Sequence, residues 1–170
     1  RTVTISIQNE NELSQFHLDK ERQLLAAWLS DYFGYSVTIA QNIELGFPDD
    51  INAPGPTIVS TATLKTILDW FPELNLDEIR RRFRTNLEID GVPAFWEDRL
   101  FTDEGQFIPF QVGDVNFLGS SPCQRCVVIT RNPQTGESYP NFQKQFSLKR
   151  QETIPAWANS SRFNHFYRLT

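Results

Sequence analysis

Two cysteines are the residues of this sequence best suited to chemistry. Cys123 and Cys126 form a C-x-x-C motif with Arg125 between them. A neighbouring guanidinium group favours the thiolate, which is the form that binds metals or attacks electrophiles. A structural zinc site needs four ligands, and His17 and His165 are both remote from the motif. The motif therefore predicts a reactive or metal-binding thiolate rather than a structural zinc site.

Two other interpretations of the cysteine motif compete with this one. A thioredoxin-like dithiol stands where a strand passes into a helix, but residues 127–130 are β-rich and predict a strand after the motif. Two ordinary buried thiols are the simplest alternative, because free cysteine is among the most buried residue types. Arg125 counts against burial, and the sequence alone leaves this alternative open.

Four arginines within residues 80–84 interrupt a chain that is otherwise acidic. The simplest interpretation is a solvent-exposed helix face on which arginines pair with Asp77 and Glu78. Asn75 followed by Glu78 resembles a capping box, so a short helix is predicted to begin there and to end at Phe83.

Arg84 differs from the other arginines because it lies past the predicted helix. It enters a predicted strand over residues 84–89, and Asn86 would point to the same face of that strand. Guanidinium groups make bidentate contacts with phosphates and carboxylates. Arg84 and Asn86 are therefore a candidate pair for an anion or a ring edge.

Ser60 and Thr61 begin a predicted helix directly after a short predicted strand, residues 57–59. Exposed N–H groups and the helix dipole make such a position an anion site, although an ordinary N-cap is the simpler interpretation. A soft thiolate, a strand arginine and a helix N-terminus together suit a cofactor that has a phosphate and a metal with sulfur ligands.

The elements that must position these residues are short, and strands outnumber helices. Asp19 is predicted to cap the first helix and Gly34 to end it. A long loop is predicted over residues 46–56, where substrate contacts are expected. Further strands are predicted over 3–7, 35–40 and 127–130, a hairpin around 112–115, helices over 20–33 and 60–71, and a turn over 132–136. The expected fold is mixed α/β, with a barrel or sheet and a few packed helices.

The composition restricts the class of protein. A chain of 170 residues fits a single domain over residues 1–170. The net charge of −5 argues against nucleic-acid binding, and no apolar run reaches the roughly 20 residues that span a bilayer. Two cysteines do not make a disulfide scaffold, so a reducing, cytoplasmic location is expected.

The order of the motifs resembles that of the MOSC domain family, and within it the amidoxime-reducing type and its bacterial counterparts. The matching segments are STATLKTIL, RRFRTNLEIDG, FWEDRL, VGDVNF and PCQRCVVITRNPQTGE, and the resemblance as a whole covers roughly residues 46–136. The R-x-N and C-x-R-C motifs in this order, with WED between them, are the specific part of the resemblance. The family is named after the C-terminal domain of molybdenum-cofactor sulfurase.

The resemblance implies a β-barrel-like α/β fold that holds a molybdenum–molybdopterin cofactor. It implies that Cys126 is the catalytic thiolate ligand of molybdenum, whereas Cys123 is not a ligand. The residues implied to contact the cofactor are Ser60, Thr61, Arg84, Asn86 and Arg125. Thr61 and Thr85 stand where the family has Glu and Pro. The amino-terminal β-rich region and the final strand of the family are missing, so the domain is expected to be incomplete at both ends.

The resemblance also implies a function, which is the reduction of N-oxygenated compounds. The expected partners are the pterin cofactor, a small-molecule substrate and a separate flavin or iron–sulfur electron donor, since this chain has no cluster-binding cysteine set. The main alternative is a module that carries the cofactor or helps to sulfurate it without its own turnover. A domain in which the cysteines are merely structural is the third interpretation.

Overall fold

The computed structural model describes residues 1–7, 10–48, 50–51 and 53–169. The chain divides into two compact units, Arg1–Asp49 and Asp50–Thr170. The loop predicted over residues 46–56 contains neither helix nor strand in its described part, which agrees with the prediction. A single domain over the whole chain stays a prediction.

The first unit contains a hairpin and one helix. Strands β1, Thr2–Ser6, and β2, Leu13–His17, pair antiparallel with Thr2 opposite His17. Helix α1, Arg22–Phe33, begins after Glu21. Asp19 is therefore not its cap, and that prediction is wrong.

At the end of α1, one prediction from the sequence is confirmed and another is wrong. Gly34 ends the helix in the left-handed region with φ 72°, as predicted, because glycine adopts that conformation without steric cost. The strand predicted over residues 35–40 is wrong, since the segment is irregular. It folds back on the helix instead, where the N–H of Val37 donates to the Ser30 hydroxyl at 2.9 Å.

The second unit is built on a parallel strand pair that is joined by two helices. Strand β3, Ile58–Ser60, lies beside β4, Leu87–Ile89, with Ser60 opposite Ile89. Helices α2, Thr61–Trp70, and α3, Leu76–Phe83, form the crossover between them. The Asn75 side chain caps α3 by accepting from the N–H of Glu78 at 2.9 Å, as the sequence predicts.

A fourth helix, which the sequence did not indicate, completes the core of this unit. Helix α4, Phe142–Glu152, buries Phe142, Phe146 and Arg150 on one face. Phe142 stacks on Phe71 of the α2 end with ring centroids 4.3 Å apart. The core is therefore largely aromatic, and its buried members include Trp70, Phe71, Phe83, Phe95, Phe142, Phe146 and Tyr167.

The predicted hairpin is present as β5, Ile108–Val112, and β6, Val115–Gly119. The described strands thus form three two-stranded sheets, and the mixed α/β class is confirmed. These three sheets do not join into one sheet among the described residues. The barrel-like closure therefore stays a prediction. In the described part of the chain, every helix is too short or too polar to span a membrane.

Gly119 is where the hairpin approaches the rest of its unit most closely. A Cβ atom added at this position would lie 1.8 Å from the carbonyl oxygen of Leu100. We therefore expect Gly119→Ala to lower the free energy of unfolding by about 1–3 kcal/mol, because the backbone must shift. The measurement is the urea midpoint of unfolding.

Gly55→Ala is the matched control, since a Cβ at Gly55 meets no atom within 4 Å. Its effect should stay within about 0.5 kcal/mol. Equal unfolding midpoints for the two variants would contradict the close approach at Leu100.

Candidate functional site

Cys126 is exposed and Cys123 is partly buried, and both are free thiols. Cys126 stands immediately before a 3₁₀ helix, Val127–Thr130. The strand predicted over these residues is wrong, because the Thr130 hydroxyl donates to the Val127 carbonyl at 2.7 Å and closes a turn. This single turn is not the α-helix that a thioredoxin-like dithiol begins. The buried-thiol alternative is wrong for Cys126.

A second segment, residues 167–169, holds the cysteine motif in place and is named here the clamp segment. It forms an antiparallel bridge with the motif between Gln124 and Arg168. The N–H of Arg125 donates to the Tyr167 carbonyl at 3.1 Å, and the N–H of Leu169 donates to the Cys123 carbonyl at 3.0 Å. The backbone of the motif is thus fixed by residues more than 40 positions away.

Two side chains of the clamp segment extend the same contact. The Tyr167 hydroxyl donates to the Cys126 carbonyl at 3.3 Å, and Arg168 donates to the Pro122 carbonyl at 2.9 Å. Burial, with the charge of Cys126 as a second cause, raises the pKa of Tyr167 to about 12. The phenol therefore keeps its proton, and its ability to donate, at neutral pH.

Arg125 joins the cysteine motif to the end of α3. Its Nη1 donates to the Phe83 carbonyl at 3.1 Å, and its guanidinium carbon lies 5.8 Å from the centre of the Phe83 ring. Burial lowers the pKa of Arg125, the charges of Cys123 and Cys126 oppose that shift, and the charge of Arg84 adds to it. Arg84, Cys123 and Cys126 therefore each lie within electrostatic reach of Arg125.

Arg84 itself is exposed and lies outside any strand. It ends α3 in the left-handed region, with φ 48° and ψ 40°, and its N–H donates to the Arg80 carbonyl at 2.8 Å. The strand predicted from residue 84 is wrong, since β4 begins only at Leu87. The chain must first leave the helix, and the left-handed residue makes that turn.

Asn86 consequently does not share a strand face with Arg84. Its side-chain oxygen accepts from the N–H of Thr57 at 3.0 Å and from the Thr57 hydroxyl at 3.1 Å. These bonds fix the start of β4 beside β3. A contact between Asn86 and a cofactor stays a prediction.

Ser60 and Thr61 lie at the start of α2, where the ordinary N-cap interpretation is confirmed. The buried Ser60 hydroxyl accepts from the N–H of Thr63 at 3.0 Å. The Thr61 hydroxyl donates to Glu88 at 2.9 Å, and Glu88 pairs with Arg80 at 2.8 Å. Both hydroxyls thus have protein partners, and their contact with a cofactor stays a prediction.

The helical arginines also pair as the simplest interpretation predicted, but they are not all solvated. Arg80 contacts Asp77 at 3.3 Å on the surface. Arg82 is buried, and it pairs with Glu78 at 2.6 Å. Arg82 also donates to the Ile129 carbonyl at 3.2 Å, so α3 holds the 3₁₀ helix that follows Cys126.

The acidic pair of the WED segment, Glu97 and Asp98, is fully buried. Glu97 lies beneath the start of α2, and burial raises the pKa of its carboxyl group. Asp98 pairs with Arg150 of α4 at 2.5 Å. This segment therefore connects the start of α2 to α4.

Arg150 and Tyr167 are the residues of this region that the sequence did not reveal. The guanidinium of Arg150 lies 4.2 Å from the Phe95 ring centre and 5.0 Å from that of Phe163. The spacing of Phe142, Phe146 and Arg150 by four positions is helical, but an arginine among aromatic residues does not indicate a buried face. Nothing local marks Tyr167 as a partner of Cys126.

A groove of about 480 Å³ lies beside the 3₁₀ helix, between Val127 and the start of α4. Its volume is in the range of small-molecule sites. Val127, Thr130 and Phe142 contribute to its wall, together with the polar residues Asn141 and Lys144. The groove therefore begins next to the residue that carries the exposed thiol.

The chain belongs to the MOSC domain family. The family profile matches residues 57–169. The "Molybdenum cofactor sulfurase" of Drosophila grimshawi is 40% identical over 126 residues, which is 69% of this chain and 15% of that protein. The protein of the same name from Drosophila mojavensis is 31% identical over 126 residues, 68% of this chain and 15% of that protein. The chain thus spans about 15% of the length of these curated relatives.

The buried pair of Asp98 and Arg150 yields a test of how this unit is held together. Arg150→Met keeps most of the side-chain volume but leaves a buried carboxylate without its cation. We expect it to lower the free energy of unfolding by about 3–5 kcal/mol. Combining it with Asp98→Leu should recover much of the loss, because a buried ion pair contributes little net stability over an apolar pair. Both are measured by urea unfolding.

Lys149→Met is the matched control on the same helix. Lys149 pairs with Glu152 at 3.0 Å, but both side chains are about half exposed or more. Its loss should cost less than about 1 kcal/mol. A similar cost for Lys149→Met and Arg150→Met would show that the buried pair is not what holds α4.

Proposed function

We propose that this chain binds a molybdenum–pterin cofactor and that the thiolate of Cys126 is a ligand of the metal. The observation that carries this proposal is an exposed thiol on a backbone that is fixed from both sides. Soft metals that take sulfur ligands select thiolates, and a ligand is effective when its position is set in advance by the protein. Membership of the MOSC domain family supports an association with this cofactor.

The charges around Cys126 fit an anionic cofactor. Arg84 is exposed to solvent, and the charges of Arg84 and of both cysteines act on Arg125. Guanidinium groups bind phosphate oxygens in bidentate geometry. We infer that Arg84 holds the anionic part of the cofactor, while Arg125 both adds positive charge and ties the motif to α3. The cofactor site would also depend on the ends of β3 and β4, which are fixed by Ser60, Thr61 and Asn86.

Two roles are compatible with such a site, and we place the handling of the cofactor first. The relatives matched over two thirds of this chain carry the name molybdenum cofactor sulfurase. That name supports a module that binds or carries the cofactor, or helps to sulfurate it, within a longer protein. When bound, the cofactor supplies a metal centre for atom transfer, and the residues of this chain supply its thiolate and its anion contacts.

The reduction of N-oxygenated compounds is the second candidate function. The exposure of Cys126 favours it, because a metal bound there would be accessible to a small molecule. The groove that begins at Val127 would receive such a substrate. Electrons would have to come from a separate flavin or iron–sulfur partner. The amidoxime-reducing type within the family is part of this second candidate.

The test is the molybdenum and pterin content of the full-length protein after production in a host that makes the cofactor. Elemental mass spectrometry measures the metal, and fluorescence after oxidation measures the pterin. We expect both in the wild-type protein and in Cys123→Ser. Cys126→Ser should contain at least about tenfold less molybdenum than the wild-type protein, because it lacks the proposed ligand.

Equal molybdenum in Cys126→Ser and Cys123→Ser would contradict the assignment of Cys126. The absence of both metal and pterin from the wild-type protein would contradict the cofactor proposal as a whole. An assay with an artificial electron donor and a hydroxylamine-type substrate then separates the two roles. Turnover by the loaded protein supports the reductase, and its absence at full loading supports the handling module.

A further inference from the structure

We propose that Tyr167 is a positioning residue for Cys126. The hydroxyl of Tyr167 binds the backbone carbonyl of Cys126, and this bond keeps the Cys126 thiol in one orientation. The purpose of this orientation, the presentation of the thiolate to a metal, rests on the proposed function. The contact itself is a property of the protein chain and does not depend on the cofactor.

Tyr167 holds two consecutive residues of the motif with its two polar ends. Its backbone carbonyl accepts from the N–H of Arg125 at 3.1 Å. Its hydroxyl lies 3.3 Å from the carbonyl oxygen of Cys126. A single residue therefore binds the motif at both Arg125 and Cys126, once through its backbone and once through its side chain.

The ring of Tyr167 is itself held by the aromatic core. It is 5% exposed, and it meets the ring of Phe146 edge to face with centroids 5.6 Å apart. Such aromatic pairs restrict the ring as well as burying it. The hydroxyl therefore approaches Cys126 from a fixed point of the core.

Packing on the far side of Cys126 does not provide the same restraint. Val127 and Val128, the next two residues, are 61% and 45% exposed. Hydrogen bonds must therefore set the orientation of the Cys126 peptide group. A site keeps one geometry when the neighbouring side chains that support it are themselves fixed by packing and hydrogen bonds.

Tyr167→Phe removes the hydroxyl and leaves the ring, its packing and the backbone bonds of the clamp segment. The first measurement is the rate at which iodoacetamide alkylates Cys126 in the full chain without cofactor, in a Cys123→Ser background. A typical hydrogen bond of this kind changes an equilibrium about fivefold. We expect alkylation of Cys126 to become about fivefold faster, while the free energy of unfolding falls by no more than about 1 kcal/mol, which is the same fivefold change expressed as an energy.

Tyr139→Phe is the matched control. Tyr139 also meets the aromatic core edge to face, with its ring centroid 6.0 Å from that of Phe142, but its hydroxyl is directed to Glu73. Its removal should leave alkylation of Cys126 unchanged. An equal alkylation rate in wild-type, Tyr167→Phe and Tyr139→Phe proteins would overturn the proposal, as would an increase of the same size in both variants.

A second measurement uses the full-length protein loaded with cofactor. Tyr167→Phe should shift the electron paramagnetic resonance spectrum of the Mo(V) state relative to wild type and to Tyr139→Phe, at equal molybdenum content. An unchanged spectrum would overturn the role toward the metal. If the wild-type protein carries no molybdenum, the proposed function fails, and the alkylation rates still decide whether Tyr167 positions Cys126.

Discussion

The pairing of the cysteine motif with the clamp segment, residues 167–169, is the constraint on which the site depends. Segments more than 40 residues apart exchange two backbone hydrogen bonds across Gln124 and Arg168. This short ladder fixes a loop whose cysteine, Cys126, is exposed to solvent and is the proposed metal ligand. An exposed ligand on a mobile loop would present its sulfur in many orientations, whereas a paired loop presents it in few.

The pairing transmits the rigidity of the aromatic core to the surface. Tyr167 packs on Phe146, which belongs to the same buried cluster as Phe83 and Phe142. Arg125 reaches the Phe83 carbonyl from the motif, and Arg82 reaches the Ile129 carbonyl from α3. The residues before and after Cys126 are thus bound to the end of the same helix. The exposed thiol and the exposed Arg84 therefore belong to the same compact unit of the chain, residues 50–170.

Local chemistry made part of this structure predictable from the sequence. The caps at Ser60 and Asn75, the glycine at the end of α1 and the β5–β6 hairpin all follow from a few neighbouring residues, and all are present. The strand predicted at residues 127–130 failed because β propensity needs a partner strand, and a threonine hydroxyl closed a turn instead. The strand predicted from Arg84 is wrong because the left-handed backbone of Arg84 leaves no signature in the sequence.

The candidate site is a prediction from the order of the motifs, and the contacts that support its residues could not be predicted from the sequence. Asp98 and Arg150 are charged residues that ordinarily lie at the surface, and only their mutual contact makes their burial possible. Tyr167 carries no local mark of its bond to Cys126, because that bond depends on a long-range pairing. These contacts are tertiary, and a single sequence does not specify them.

The most direct test of this account is X-ray absorption at the molybdenum edge of the full-length, cofactor-loaded protein. Sulfur neighbours of the metal are counted in the wild-type, Cys123→Ser and Cys126→Ser proteins. The account predicts one sulfur neighbour fewer in Cys126→Ser than in the other two. The same number of sulfur neighbours in all three proteins would show that Cys126 does not bind the metal, and would contradict the central claim.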